Sequence, residues 1–593
     1  MSRGGHKRHG IFFARKAVKA MARKINKKTT KKVNKTHVKQ RSAGRAGHGR
    51  NRFAQSARRA SKTPVLRRTD AYEEPKKGRG RGKGSDTAEQ LETELEALLF
   101  QRREFPEAVQ KEAEAIPQKL TAEKIRSEIL RGRRDLRELT VVTIDGADTR
   151  DVDDGVSLEA DGSGGWTLGV HIADVSHYVK RDSPLDREAY RRGTSVYFPD
   201  KVLPMLPKEL SNGICSLNVG EDRFALTVMM KLDENGVITG HEIFESVINV
   251  RYKINYTQYY ELFEGPEYRR EELEKEFEAH VGMLSEMRRV AALRHELRRA
   301  RGSLDFEFPE TKVTVGDNGA VEEVGPEEIT FANNVIEEFM LAANETVAAR
   351  FEALGVPFIY RNHPAPETDK LLMLDETVRR FGFTVADRRG ELIPGAIPRM
   401  LEKAKTMPQE RLIQTLALTS MGKAVYSDEC RGHFGLAAEK YTHFTSPIRR
   451  YPDLYIHRVI KETLAGARPE TLKERYTDAH DAAADSSDAE REAERAERFY
   501  TDKLTAKYMS AFLGEDFVGT VSGVTAFGLF IMLDNSAEGL LFYSDMPDQM
   551  IFDPRRLTAK GRFTGRTYGY GDRVEVKIAA ADEKTGRIQF QFA

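Results

Sequence analysis

The sequence predicts a mixed α/β body followed by a small all-β barrel, with a basic, low-complexity segment ahead of both. Three observations carry this reading. Between about residues 135 and 465, β-branched runs alternate with longer stretches of helical period. After residue 513, short strands at even spacing take over. Charge is also split along the chain. Residues 1–83 hold 28 Lys and Arg against three acids (Asp70, Glu73 and Glu74), while the remainder holds 67 against 89 Asp and Glu.

Residues 1–85 are rich in Lys, Arg, Gly and Ser and are expected to be disordered, the stretch KKGRGRGKGS (76–85) most clearly. Within them Ile11, Ala14, Val18, Met21 and Ile25 fall at helical spacing among Lys and Arg, which predicts a short basic amphipathic helix for a membrane surface or RNA. Such a charge balance points to a polyanionic partner. The apolar stretch IFFA is too short for a secretory signal, and the first acid is Asp70, which leaves a transit peptide open.

Residues 86–134 read as a helical lead-in. In the body, RELTVVTID (137–145), WTLGVHIADV (166–175), RFALTVMMKL (223–232) and VINVRY (247–252) read as strands, and 329–354 and 410–427 as helices. Residues 466–512 are charged and helical. The last segment, 513–593, offers DFVGTVSGV, FGLFIML, EGLLFY, RVEVKIAAAD and RIQFQFA, five strands that fit a barrel of the OB type.

Several classes are excluded. No apolar run reaches 18 residues, so no transmembrane helix is expected. The only cysteines are Cys215 and Cys430, too few for a disulfide scaffold or a Cys-built zinc module, and consistent with a reducing compartment such as the cytoplasm. No phosphate-binding glycine fingerprint follows the body strands.

The segment TIDGADTRDVDDGVSL (143–158) sets Asp145, Asp151, Asp153 and Asp154 within ten residues. An acidic solvated loop is the bland reading, but apolar residues stand on both sides, so the acids interrupt what looks like core. Packed carboxylates repel unless cations neutralise them. Mg²⁺ is the natural candidate and Mn²⁺ the substitute, because both take hard oxygen ligands. Metals held by carboxylates are a recurring device for phosphodiester hydrolysis. An EF-hand is excluded, because a loop starting at Asp151 puts Gly155 where an oxygen ligand is required.

The block VTIDGADTRDVDDGV resembles the catalytic signature of the ribonuclease II / ribonuclease R family. The resemblance continues through SVYFPDKVLPMLPKELSNGICSL (195–217), NNVIEEFMLAAN (333–344), PFIYRNHPAP (357–366) and HFGLAAEKYTHFTSPIRRYPDLYIHR (433–458). GTVSGVTAFGLFIMLDNSAEGLL (519–541) is similar to the S1-type barrel of the same family. The resemblance implies an RNB-type catalytic domain over 135–465, a connector over 466–512 packed on it, and an S1-type RNA-binding barrel over 513–593.

The family's activity, processive metal-dependent 3′→5′ exoribonuclease, becomes the expectation, with single-stranded RNA such as mRNA or rRNA fragments as substrate. Asp145, Asp151, Asp153 and Asp154 match the family's essential acids, Asp145 and Asp154 as the foremost metal ligands. Arg449, in TSPIRRY, matches the arginine at the scissile phosphate, and Arg450 beside it is expected to contact RNA. Tyr197, in SVYFP, matches an aromatic that stacks near the 3′ end, with Phe306, in GSLDFEF, as its partner.

Apart from the resemblance, Thr445-Ser446-Pro447 reads as a helix start whose N–H groups favour an anion. His171, His433, His443 and His457 lack zinc spacing and are read as packing or channel-lining residues. Of Phe527, Phe530, Phe542 and Tyr543, strand alternation leaves Phe527 and Phe542 as the expected base-stacking pair.

Departures from the family are three. Residues 1–134 show no strands of the two cold-shock-type barrels that most members carry, no basic C-terminal extension is expected after the last barrel strand, and Gly155 stands where Ala is usual. The basic N-terminal segment is the expected substitute grip, on RNA or on the ribosome, and the chain is expected to be a monomer. The competing reading is a non-catalytic RNA-binding regulator built on the same fold.

Overall fold

The computed structural model describes residues 83–593 apart from 305, 307–309, 408 and 555. The expected helix between Ile11 and Ile25 lies outside the described residues. The first described element, α1 (Lys83–Gln101), begins inside the stretch assigned to the basic segment. It is followed by α2 (Glu107–Glu114) and α3 (Ala122–Leu130), the latter opened by Thr121, whose side chain accepts the Lys124 N–H.

The centre of the body is a sheet that closes on itself. Its strands are β1 (Arg134–Asp135), β2 (Val141–Asp145), β3 (Asp154–Ala160), β4 (Trp166–Ala173), β7 (Asp222–Leu232) and β8 (Ile238–Asn255). A small hairpin, β5 (Val196–Tyr197) with β6 (Val202–Leu203), lies outside it. The order β1-β8-β2-β3-β4-β7 is completed by a direct β7–β8 pairing. In β2, Val141, Val142 and Ile144 are all buried although they point to both faces, as expected where a sheet is covered on each side.

The chain leaves β8 into α4 (Tyr256–Glu264), where Asn255 and Gln258 form a reciprocal cap. The sheet is backed by α5 (Phe331–Leu354), whose Val335, Phe339, Ala342, Ala343 and Val347 join the main core. Ahead of α5 stands a hairpin of β9 (Thr311–Val315) and β10 (Val321–Pro326). A second core, including Leu371, Leu374, Ile397, Met400, Leu401 and Ile413, lies among the helices that follow. The helix expected over 410–427 runs only from Glu410 to Ser420. Gly422 is a poor helix former, and Val425–Ser427 pairs instead with Tyr360–Asn362.

Next come α6 (Tyr451–Leu464) and α7 (Ala479–Met509), whose 31 residues span roughly 46 Å at 1.5 Å per residue. Ala482 and Ala483 of α7 sit in the main core, whereas Ala506 and Met509 sit in the core of the barrel. The same helix meets α1: Ala493, Ala496 and Phe499 pack with Leu95, Leu98, Val196 and Phe198. This contact fixes the β5–β6 hairpin, and it is how the lead-in and connector reach the site described below.

The barrel comprises β11 (Asp516–Val524), β12 (Gly528–Leu533), β13 (Glu538–Phe542), β17 (Arg573–Asp582) and β18 (Arg587–Phe592), closed in the order β11-β12-β13-β18-β17. The five strands are those expected. Between β13 and β17 the structure adds a meander, β14 (Met550–Asp553), β15 (Thr558–Gly561) and β16 (Thr567–Gly569), which the sequence reading missed.

Candidate active site

Strand order brings the acids together. β2 runs parallel to β8, with Asp145 opposite Asn255. β3 returns antiparallel to β2, with Val142 opposite Val156. The end of β2 and the start of β3 therefore share one edge, which places Asp145 and Asp154 side by side. Gly155 permits the close approach: a Cβ there would stand 2.8 Å from Val141 Cγ1. The loop between the strands is pinned from below. Ser216 Oγ donates to the Arg150 carbonyl and accepts the Val152 N–H, while the Leu217 N–H donates to the Val152 carbonyl.

Each acid has its own surroundings. Asp153 is 4 % exposed; its Oδ1 accepts the Ile448 N–H at 2.8 Å, and its Oδ2 has no hydrogen-bond donor. Asp145 Oδ2 is likewise buried without a donor. Asp151 accepts the Tyr197 hydroxyl at 2.7 Å. Burial raises Asp145 to about 7, reinforced by the negative charge of Asp154. Loss of water raises Asp154 to about 6, and burial drives Asp153 well above its ordinary range against the pull of Arg449.

The acids face a cavity of about 1520 Å³. Its other walls come from the β5–β6 hairpin (Tyr197, Val202), α4 (Tyr256, Tyr260), α5 (Asn333, Glu337, Asn344) and the turn before α6 (Ser446, Arg449, Arg450). Arg449 Nε lies 3.8 Å from Asp153 Oδ2, its Nη2 donates to Ser446 Oγ at 3.0 Å, and its side chain is 43 % exposed. Arg450 lines the same cavity but is spent on Asp453, to which Nε and Nη2 donate at 3.0 and 2.8 Å.

One expectation needs correction, and two predicted residues have surroundings of their own. The helix after Thr445-Ser446-Pro447 starts only at Tyr451, with Pro452 in its first turn, and neither hydroxyl caps it. Asp453 reaches back to accept the Ser446 N–H, so residues 447–449 form a turn whose Ile448 N–H is given to Asp153. Arg450, the expected RNA contact, is ion-paired with Asp453 at the cavity wall. Phe306 does not line the acidic cavity; it packs, half-buried, against the second core.

The histidines act as packing groups. His171 bonds Ser157 and Thr227, His457 bonds the Phe444 carbonyl, His443 bonds Tyr426, and His433 lies against His363 and Tyr441. Sequence reasoning gave no role to Tyr256, Tyr260 or Asn344. Asn344 sits in the quoted block NNVIEEFMLAAN; it donates to the Tyr441 hydroxyl and accepts the Phe444 N–H. In the barrel, Phe530 is buried, while Phe527 and Phe542 are half-exposed with ring centroids 6.5 Å apart.

The donor set suits a hard divalent cation: carboxylate oxygens, two of them buried without a hydrogen-bond donor. Among the described residues, however, no three His, Cys, Asp or Glu side chains converge at metal-ligand spacing. The Tyr197 hydroxyl holds Asp151, and the Ile448 N–H holds Asp153.

The RNB domain model matches residues 133–466, over half of the chain, and the S1 RNA binding domain model matches 510–592. The chain belongs to the RNB family. Ribonuclease R 1 of Lactococcus lactis is 40 % identical over 82 % of this chain, and ribonuclease R of Thermotoga maritima is 40 % identical over a similar stretch. The chain spans 59 % of the first relative and 68 % of the second. Among solved RNB structures, Mycoplasma genitalium RNase R with ribose-methylated single-stranded RNA superposes with a TM-score of 0.74 at 29 % identity, covering 84 % of this chain and 77 % of that one. The same protein with double-stranded RNA gives 0.71 at 27 % identity, covering 84 % and 82 %. Yeast Ssd1, a pseudonuclease, shares the fold at a TM-score of 0.60 and 21 % identity, over 79 % of this chain and 57 % of that one.

Proposed function

We propose that this chain is a 3′→5′ exoribonuclease that hydrolyses single-stranded RNA processively to nucleoside 5′-monophosphates, in RNA decay and processing. The observation that carries the reading is the edge of acids, with buried Asp145 and Asp153 oxygens that lack a hydrogen-bond donor, facing a large cavity that Arg449 and Tyr197 also line. Mg²⁺, with Mn²⁺ as substitute, is the proposed cation. Asp145 and Asp154, with Asp151 and Asp153, would hold it, and when bound it supplies an activated water and neutralises charge at the scissile phosphate.

The chain's own residues supply the rest. The Arg449 guanidinium offers a planar fork to the phosphate from beside Asp153. The Ile448 N–H keeps the Asp153 carboxylate aimed at the cavity. The exposed face of Tyr197 stacks on the 3′-terminal base, and its hydroxyl orients Asp151. Arg450, fixed by Asp453, contributes positive field rather than a phosphate fork. Phe527 and Phe542 stack bases upstream of the cavity.

The substrates proposed are mRNA or rRNA fragments, met in the cytoplasm by a monomer. The 28 cations of residues 1–83 add a grip on RNA or on the ribosome. Among the described residues no helix is long and apolar enough to cross a membrane.

The test is RNA labelled at one end or the other, incubated with Mg²⁺ or EDTA. The 3′ label should leave first as a mononucleotide, the 5′ label should remain on a shrinking series of fragments, and EDTA should stop both. Intact RNA that stays bound in Mg²⁺ would instead favour the non-catalytic regulator.

A further inference from the structure

The barrel carries a basic face that neither the acidic cavity nor the Phe527–Phe542 pair uses. Residues 550–569 hold five Lys and Arg against one acid, Asp553, whereas the rest of 513–593 holds four against ten Asp and Glu. The described residues among them form the meander β14–β16. In its register, Phe552, Ala559 and Tyr568 stand opposite one another and pack on the barrel core. The alternate row, Ile551, Lys560 and Thr567, consequently faces outward, and all three are exposed.

The turn from β15 to β16 extends that outer face with Arg562, Phe563 and Arg566, each exposed, Phe563 to 79 %. The turn is held rather than loose. Asp548 accepts the N–H groups of Phe563 and Thr564 at 3.1 and 2.8 Å and the Thr564 hydroxyl at 2.6 Å. The Arg562 guanidinium stands 5.8 Å from the Phe563 ring centre, and Arg566 stands 4.9 Å from that of Tyr568. A ring fixed in water among cations, on an otherwise acidic domain, is the pattern of a single-strand platform: cations track the phosphates and the ring takes a base.

We propose that this outer face is a second RNA-binding surface of the barrel. Phe563 stacks an unpaired base, and Lys560, Arg562 and Arg566 neutralise the flanking phosphates of single-stranded RNA upstream of the threaded 3′ end. A duplex would not serve, because its bases are already stacked. The proposal rests on RNA being the substrate, as argued above.

The experiment uses the full chain in EDTA with a long fluorescein-labelled oligouridine, its affinity read by anisotropy at several salt concentrations. Phe563→Ala should weaken binding about tenfold. The double variant Arg562→Ala/Arg566→Ala should lower the slope of log affinity against log salt by about 1.4. In wild type, 4-thiouridine RNA should cross-link within residues 550–569, a readout independent of any variant's folding. Unchanged affinity of Phe563→Ala, parallel salt plots, or cross-links confined elsewhere would overturn the proposal. So would unchanged RNA binding accompanied by lost binding to phosphatidylserine vesicles, which would assign the face to lipid. Degradation of the same RNA by wild type in Mg²⁺ is measured alongside: its absence would sink the activity, whereas its presence with unaltered variants would sink only the meander.

Discussion

Asp153 and Asp174 are 4 % and 1 % exposed, and they flank neighbouring strand ends, Asp153 just before β3 and Asp174 just after β4: the Asp153 carbonyl accepts the N–H of Ala173, the residue before Asp174. Their partners differ completely. Asp174 accepts from Arg133 at 2.8 Å and from Lys461 at 2.8 and 2.7 Å, and Ser176 donates at 2.8 Å. Asp153 has one backbone N–H on one oxygen and no donor on the other. Burial would raise Asp174, but Lys461 and Arg133 outweigh it and hold the carboxyl well below its usual range. Burial wins at Asp153 and drives it well above. One carboxylate is neutralised by two cations at hydrogen-bond distance; the other has only Arg449, 3.8 Å away. A buried carboxylate so weakly paired is costly and marks a working site rather than a stabilising one.

The largest effect should come from Asp153→Asn. The amide is nearly isosteric and removes the weakly paired carboxylate charge. Hydrolysis should fall by about a thousandfold or more, since the lost carboxylate serves the transition state. RNA affinity should stay near wild type, and the Mg²⁺-free melting temperature should hold or rise. Near-normal turnover would remove Asp153 from the catalytic set.

Asp174→Asn should do the reverse. It leaves Arg133 and Lys461 buried with one full charge fewer, a change worth about 3–5 kcal/mol of stability. The loss should appear in a urea midpoint, and at a temperature where the variant is folded its cleavage rate should be close to wild type. A variant as stable as wild type would mean that the ion cluster is neutral to folding, and the contrast with Asp153 would lose its structural half.

How far the sequence foretold this contrast depends on distance along the chain. The acids at 145–154 were legible because they cluster locally and interrupt an apolar run. Arg449 and Tyr197 were legible only through resemblance, since Tyr197 meets Asp151 across 46 positions and Arg449 meets Asp153 across nearly 300. The Arg450–Asp453 pair has helical i,i+3 spacing and was within reach. It was missed because Ser446 and Pro447 resemble a helix start, while Pro452 is the proline that opens α6. The clamp of Arg133 and Lys461 on Asp174 joins three distant segments, and nothing local announces it. The meander β14–β16 was missed because its glycines and cations read as loop.

A buried histidine gives a smaller and independently signed effect. Burial holds His171 down at about 3, neutral between Ser157 and Thr227. In the unfolded chain its value is about 6.5. Between those values the unfolded chain binds a proton that the folded chain refuses. The stability His171 contributes is therefore complete above about pH 6.5 and is lost as pH falls toward 3. The raised Asp145 and Asp154 act in the opposite direction, gaining stability as pH falls from about 7. Wild type is therefore compared with His171→Gln. Whatever its absolute stability, the variant's dependence on pH between 6 and 4 should differ by one proton, about 1.4 kcal/mol per pH unit. Identical slopes would mean that His171 is protonated in the fold.

Asp151 is the intermediate case, and Tyr197 decides it. Neither clamped like Asp174 nor buried and weakly paired like Asp153, it takes one hydroxyl from a ring that is itself 37 % exposed at the cavity wall. The hairpin bearing that ring is fixed by the α1–α7 contact, and the Tyr197 N–H donates to Glu497 at 2.7 Å. Tyr197 thus offers two separable things, a stacking face and a hydroxyl. Tyr197→Ala removes both. A short end product has few contacts left, so losing a stack worth about 1–3 kcal/mol should lengthen the final undegraded fragment more than it slows the early cuts. Tyr197→Phe keeps the face and frees Asp151 from its neutral partner. Its limit fragment should match wild type, while the Mg²⁺ concentration needed for half-maximal rate should fall, because Asp151 no longer has to exchange a hydroxyl for a cation. A sizing gel and a Mg²⁺ titration separate the two. An unchanged fragment in Tyr197→Ala would return the ring to packing, and an unchanged Mg²⁺ requirement in Tyr197→Phe would mean that Asp151 serves structure, on the same side of the comparison as Asp174.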